Sequence, residues 1–136
     1  MSFPSSQFKK FSILAAEAAN AKKGIDIRLL DLRRVQSGVS DYLLMCSANS
    51  QPHMKAIRDS IEDSLEQMGL RPLHQEGSKG SQWIAIDYGG LLIHIFHEDA
   101  RAFYSLERLW PEGSVVRWGT TAKKIKIKAS RKRPKK

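Results

Sequence analysis

The segment that most constrains the fold is the run Gln82–Phe96, in which two β-prone stretches flank the dipeptide Gly89-Gly90. Glycine tolerates the positive φ angles of a two-residue hairpin turn, so we predict a β-hairpin. The turn fixes a register, and successive side chains then alternate between two faces. That register pairs Tyr88 with Leu91, Ile86 with Ile93 and Ile84 with Ile95, and these six side chains form an almost wholly aliphatic face. The opposite face carries Trp83, Ala85, Asp87, Leu92, His94 and Phe96.

The aliphatic face requires a core, and the mixed face is either covered by a helix or used as a surface. Apolar periodicity and end signals predict the remaining elements. We expect Gly24 to end the first helix as its C′ residue, Ser50 to cap the second and Pro111 to stop the third. The predicted elements are a helix over 6–23, strands over 25–32 and 41–47, a helix over 50–68, a strand over 72–76, the hairpin and a helix from Asp99.

The element order αββαβββα predicts a mixed α/β (α+β) fold, with a single five-stranded mixed sheet and flanking helices. The strand over 41–47 is apolar on both faces, which suits a central strand buried between layers. A chain of 136 residues is long enough for one domain with a core. It contains no apolar run near the roughly 20 residues of a membrane helix, and no N-terminal targeting segment. The single Cys46 cannot form an internal disulfide, so we expect a cytoplasmic protein.

The net charge of +9 is confined to one end of the chain. Of the 23 lysines and arginines, nine lie between Thr121 and Lys136, and the 14 that remain balance the 14 acidic residues. We therefore divide the chain into a formally neutral domain over 1–120 and a basic tail over 121–136. The tail cannot bury a core, and we expect it to be disordered in isolation. Its predicted contacts with rRNA are Lys123, Lys124, Lys126, Lys128, Arg131, Lys132 and Arg133.

The sequence gives little support for a catalytic, metal or cofactor site. The four histidines are scattered, with no pair at metal-ligand spacing on a helix and no cysteine partner. Cys46 lies mid-strand among apolar residues, where a thiol is inert. The strand-to-helix connection Ser47–Ser50 could bind an anion, but helix capping explains it, and Asp87 lacks the companion carboxylates that a nucleotidyltransferase needs. We predict no enzyme activity and no cofactor.

An interaction surface is the stronger prediction. Trp83, Asp87 and His94 share the mixed face of the hairpin, and Glu76 ends the preceding strand. Tryptophan is favoured at the energetic centres of interfaces. The alternative is that Trp83 packs beneath a helix as an ordinary core residue.

The chain resembles the ribosomal silencing factor family, also called Iojap-like proteins. The segments that carry the resemblance follow the family's order and spacing through most of residues 8–110, and together they are highly specific. They are Asp26–Leu32, Ser40–Met45, Gly69–Gly77, Trp83–Gly89, His94–Phe96 and Arg101–Trp110.

The resemblance implies a nucleotidyltransferase-like fold without the catalytic site, and a non-enzymatic role. It implies binding to the large ribosomal subunit through its protein fourteen, which blocks joining of the small subunit and represses translation. The alternatives are a large-subunit assembly factor and a nucleotidyltransferase-like enzyme. A homodimer away from the ribosome also fits, and no membrane is implied. The interface residues carried over by motif are Glu76, Trp83, Asp87, Tyr88 and His94.

The chain departs from the family pattern at two places. Gly90 follows the Tyr-Gly of the hairpin turn, where the family often has an acidic residue. The chain also continues through Trp118 into the basic tail, for which the resemblance implies nothing.

Overall fold

The computed structural model describes residues 5–33, 40–77, 80–100, 116 and 118. Its elements follow the predicted order, with residues 98–100 helical after the last strand. The remainder of the predicted third helix and the tail lie outside the described residues. The apolar stripe predicted for that helix is Phe103, Leu106 and Leu109 or Trp110. The elements are α1 (Ser5–Ala21), β1 (Ile25–Asp31), β2 (Tyr42–Ala48), α2 (Gln51–Glu66), β3 (His74–Glu76), β4 (Trp83–Asp87) and β5 (Leu91–His97).

The five strands form one mixed sheet in the order β1-β2-β5-β4-β3. Strands β2 and β5 are parallel, and the other neighbours are antiparallel. The prediction of a single five-stranded mixed sheet is therefore confirmed. The parallel pair is joined through α2, β3 and β4, which gives the long connection that parallel neighbours need.

The hairpin of β4 and β5 has the predicted register. Ile84 is paired with Ile95 and Ile86 with Ile93, and the Tyr88 amide donates to the Leu91 carbonyl at 2.8 Å. All six side chains of the predicted aliphatic face are buried. At the turn, Gly89 has a φ of 94°, a value that suits glycine.

Gly90 is needed for a different reason, which is close packing against α1. A Cβ atom built there would lie 2.5 Å from the Phe8 ring. The residue by which this chain departs from the family pattern is therefore covered by its own first helix.

The two helices cover the aliphatic face of the sheet. In α2 the buried stripe is Met54, Ile57, Ile61 and Leu65, and the Ser50 side chain caps the helix by accepting from the His53 amide at 3.2 Å. Every residue of β2 is buried, as predicted for an internal strand. The C-terminus of α1 differs from the prediction. Lys23 adopts the left-handed conformation, with a φ of 63°, whereas Gly24 allows close approach to the Ala19 carbonyl oxygen, which a Cβ would meet at 3.1 Å.

The other face of the sheet is buried at one end only. A second apolar cluster of Leu30, Leu32, Leu43 and Met45, joined by Leu92, lies over β1, β2 and the start of β5. Towards β4 and β3 the same face becomes half-buried and then exposed. We call this second part, formed by His74, Glu76, Trp83, Ala85, Asp87 and His94, the open sheet face.

Candidate protein-binding surface

Strand pairing brings the predicted surface residues into adjacent rows. Ala85 lies between Glu76 on β3 and His94 on β5, while Trp83 is opposite Phe96. Asp87 lies between His74 and Leu92 in the next row. Directly paired residues share a face, so four of the five predicted interface residues belong to the open sheet face. The exception is Tyr88.

Trp83 is half-buried and packs within its own sheet. Its ring centroid lies 5.2 Å from that of Phe96 and 5.3 Å from that of His94. The indole Nε1 donates a hydrogen bond of 2.7 Å to His94 Nδ1. Neither α1 nor α2 lies over this face, because both pack on the aliphatic face. Trp83 is thus only partly buried on this face.

The imidazole of His94 is neutral in this arrangement. Because an indole can only donate, Nδ1 must be the unprotonated nitrogen, and the proton is carried by Nε2. Burial of the ring lowers the pKa of His94 to about 4. The residue therefore contributes an uncharged, partly apolar wall to the open sheet face at neutral pH.

A shallow groove of about 390 Å³ runs beside Trp83. Its rim includes Glu76, whose side chain is 73% exposed and whose carboxylate lies 3.1 Å from His74 Nε2. The groove is lined by aromatic side chains, by small residues and by an acidic side chain, features that suit a protruding side chain of a protein partner. Its lining residues are Glu76, Gly77, Ser81, Gln82, Trp83, Ala85 and His94.

The sequence reasoning did not find Gly77, Ser81 or Gln82 in this groove. They belong to the loop between β3 and β4, and nothing in a polar loop sequence indicates which residues return to the sheet. The one available signal was Gly77 itself, since a glycine directly after a strand is consistent with a close backbone approach.

Asp87 has a local role in addition to its place on the surface. One carboxylate oxygen accepts the Gly89 amide at 2.8 Å and thereby stabilises the hairpin turn. An effect of substituting Asp87 can therefore arise from the turn as well as from a lost surface charge.

Tyr88 is not available as a surface contact, contrary to the interface role carried over from the resemblance. Its side chain lies on the aliphatic face and is 2% exposed. Burial, reinforced by the nearby Glu62 and Glu66 carboxylates, raises the pKa of its phenol. The alternation of the hairpin explains this position, because Tyr88 pairs with Leu91 on the core side.

The described residues give no support to a metal-dependent site. No three histidine, cysteine, aspartate or glutamate side chains within them are grouped to hold a metal ion. His53 instead lies in the first turn of α2, where its ring accepts the Asn49 amide through Nδ1 at 3.0 Å and donates to the Lys22 carbonyl through Nε2 at 2.8 Å. None of the described helices is long and apolar enough to cross a membrane. The seven predicted tail contacts lie outside the described residues.

Solved structures share this fold. The chain matches the crystal structure of a protein from Chromobacterium violaceum with a TM-score of 0.70 and 28% identity, over 75% of this chain and 84% of that one. It matches a Bacillus halodurans structure with a TM-score of 0.68 and 30% identity, over 80% and 98% of the two chains. The fold and the surface together define a small α/β domain with a candidate protein-binding sheet face.

Curated relatives narrow this class further. The chain is 37% identical to the ribosomal silencing factor RsfS of Bacillus subtilis, over 76% of this chain and 86% of that protein. It is 30% identical to the chloroplastic Iojap protein of Zea mays, over 78% of this chain and 46% of that protein. A family model described as "Ribosomal silencing factor during starvation" matches residues 5–136. The chain belongs to the ribosomal silencing factor family, a family of ribosome-associated regulators of translation.

Proposed function

We propose that the chain binds the large ribosomal subunit through its protein fourteen, using the open sheet face, and thereby prevents the small subunit from joining. The proposal rests on family membership and on the partner that the resemblance implies. The observation that carries it is the half-buried Trp83 beside a groove on a face that α1 and α2 do not cover.

The charge of the open sheet face favours a protein partner over RNA. Strands β3, β4 and β5 contain no lysine or arginine, whereas Glu76 and Asp87 are acidic and His94 is held neutral. Contacts with phosphate depend on basic side chains, and an acidic face repels an RNA backbone. The same charges attract a basic patch on a ribosomal protein and reject partners of like charge.

In this proposal repression is steric and requires no chemistry by the chain. A domain of this size that occupies the joining face of the large subunit excludes the small subunit by volume alone. The basic tail has a separate role, in which Lys123, Lys124, Lys126, Lys128, Arg131, Lys132 and Arg133 supply contacts with rRNA that strengthen binding without selecting the subunit.

The test is subunit association in a density gradient. Purified large and small subunits are mixed with and without a stoichiometric amount of the protein, in the presence and absence of nucleotide. We expect the protein to sediment with the large subunit only, to reduce the joined peak, and to act independently of nucleotide. An unchanged joined peak with the large subunit saturated by the protein would contradict the steric proposal. A requirement for nucleotide would instead favour the nucleotidyltransferase-like alternative.

A further inference from the structure

Two features fix the backbone of Trp83 in the protein before it binds a partner. Ser81 Oγ donates to the Trp83 carbonyl at 2.8 Å and accepts the Trp83 amide at 3.2 Å. Gly77 has a φ of 105°, and a Cβ there would lie 2.5 Å from the Trp83 carbonyl oxygen. The connection between β3 and β4 is therefore packed directly against the start of β4, which leaves the direction of the ring to be decided by side chains.

A polar contact joins the indole ring of Trp83 to the neighbouring strand. In the hairpin register His94 is opposite Ala85 and hence diagonal to Trp83, a spacing that long aromatic side chains can bridge. The 2.7 Å bond from Trp83 Nε1 to His94 Nδ1 ties the polar edge of the indole to the neighbouring strand. The tilted contact with Phe96, at an interplanar angle of 32°, is apolar and has no directional bond of this kind.

We infer that His94 is a positioning residue for this surface: its Nδ1 accepts the indole N–H and holds the Trp83 ring in the orientation that the partner meets. This inference rests on the proposed function, in which Trp83 contacts the partner. It changes the role of His94 from a contact residue, as the resemblance implies, to one that acts through Trp83. A side chain already held in its bound orientation loses less conformational freedom on binding, so the bond favours affinity without touching the partner.

Two substitutions separate the acceptor from the ring of His94. His94→Phe keeps an aromatic ring of similar size and removes the acceptor. His94→Asn removes the ring and places a carbonyl oxygen near the position of Nδ1. The first readout is the indole N–H signal of Trp83 in the free protein, measured by ¹⁵N–¹H correlation spectra and identified by its absence in Trp83→Phe. We expect faster solvent exchange and an upfield shift in His94→Phe, with partial recovery in His94→Asn.

The second readout is affinity for purified large subunits, measured in a double-mutant cycle with Trp83→Phe, which keeps a ring but has no N–H to donate. We expect His94→Phe to weaken binding about five- to tenfold, the size of one lost neutral hydrogen bond. We expect no further loss when His94→Phe is added to Trp83→Phe. Equal weakening in both backgrounds would overturn the inference, since His94 would then contact the partner itself. An unchanged indole signal in His94→Phe would also overturn it.

Failure of the proposed function gives a different pattern. If Trp83 does not contact the large subunit, Trp83→Ala binds as the unsubstituted protein does, although the indole signal still responds to His94→Phe. If Trp83 does contact it but His94 does not position the ring, Trp83→Ala loses affinity while His94→Phe keeps both its affinity and its indole signal. Thermal unfolding of each variant confirms that the compared proteins are folded.

Discussion

Truncation of Trp83 to alanine is the perturbation that most directly tests the surface. In the free protein it removes a half-buried ring, its contacts with Phe96 and His94 and one hydrogen bond. Fully buried tryptophans cost about 3–5 kcal/mol when truncated, and a half-buried one should cost about half of that. We therefore expect the free energy of unfolding to fall by about 2 kcal/mol, which leaves a protein of ordinary stability folded.

The expected loss of affinity is larger than unfolding of the variant could cause, because the destabilised variant stays folded. A tryptophan at the centre of an interface contributes about 2 kcal/mol or more, which corresponds to about a 30-fold loss of affinity. Trp83→Phe should lose about fivefold, because it keeps a six-membered aromatic ring but loses the N–H and part of the indole area. Glu76→Ala should lose less than Trp83→Ala, because its carboxylate is exposed at the rim.

The assay is a titration of labelled protein with purified large subunits, with urea unfolding of each variant to measure the folded fraction. Met68→Ala is the matched control, since Met68 is a large apolar residue that is 41% exposed and follows α2, away from the open sheet face. We expect that control to bind normally. If Trp83→Ala is strongly destabilised and its folded fraction binds with unchanged affinity, Trp83 is only a packing residue and the reasoning is refuted.

The remaining predictions concern the tail, a pH dependence and two turn residues. Truncation after Thr121 should weaken binding at low salt. The slope of log affinity against log salt should become shallower by about 0.9 for each lost phosphate contact, and we expect about four such contacts. Equal slopes with and without the tail would exclude contact. The pKa of His94 falls from 6.5 to about 4 on folding. The free energy of unfolding should therefore decrease, by at most about 3 kcal/mol, as the pH is lowered from 6.5 to about 4. Urea titrations of His94→Phe should lack this decrease. Asp87→Asn keeps an acceptor for the turn and removes the charge, so it should retain the melting temperature while losing affinity; a lowered melting temperature with normal affinity would assign Asp87 to the turn alone. Gly90→Ala should destabilise the fold by about 1–3 kcal/mol, because the added methyl group overlaps the Phe8 ring. The loss should be smaller in a Phe8→Ala background. Equal losses in the two backgrounds would exclude the Phe8 contact as the cause.

The place of Tyr88 shows where local pattern and family resemblance diverge. Alternation along the hairpin puts Tyr88 on the aliphatic face, and the structure confirms that face as the core. The motif carried over from the resemblance includes Tyr88, which follows Asp87 in the chain. Neighbours in a strand point to opposite faces, so adjacency in a motif does not imply a shared surface.

The sequence by itself determined the hairpin, its register and the composition of its two faces. These follow from strand alternation and from Gly89-Gly90, both of which act within a few residues. It also determined α1 and α2, because apolar periodicity and the Ser50 cap are local signals. The prediction of Gly24 as the C′ residue of α1 was wrong. Lys23 is the left-handed residue there, and Gly24 follows it and approaches the Ala19 carbonyl.

Which part of the mixed face is buried depends on the tertiary structure and could not be read from the chain alone. Its apolar end over β1 and β2 is buried and its β3–β4 end is open, a difference that depends on long-range packing rather than on local pattern. The bond from Trp83 to His94, and the approach of Gly77 to Trp83, join residues from different strands and loops. Such contacts depend on where strands and loops meet in space, so periodicity along the chain placed Trp83 on a face but could not orient its ring.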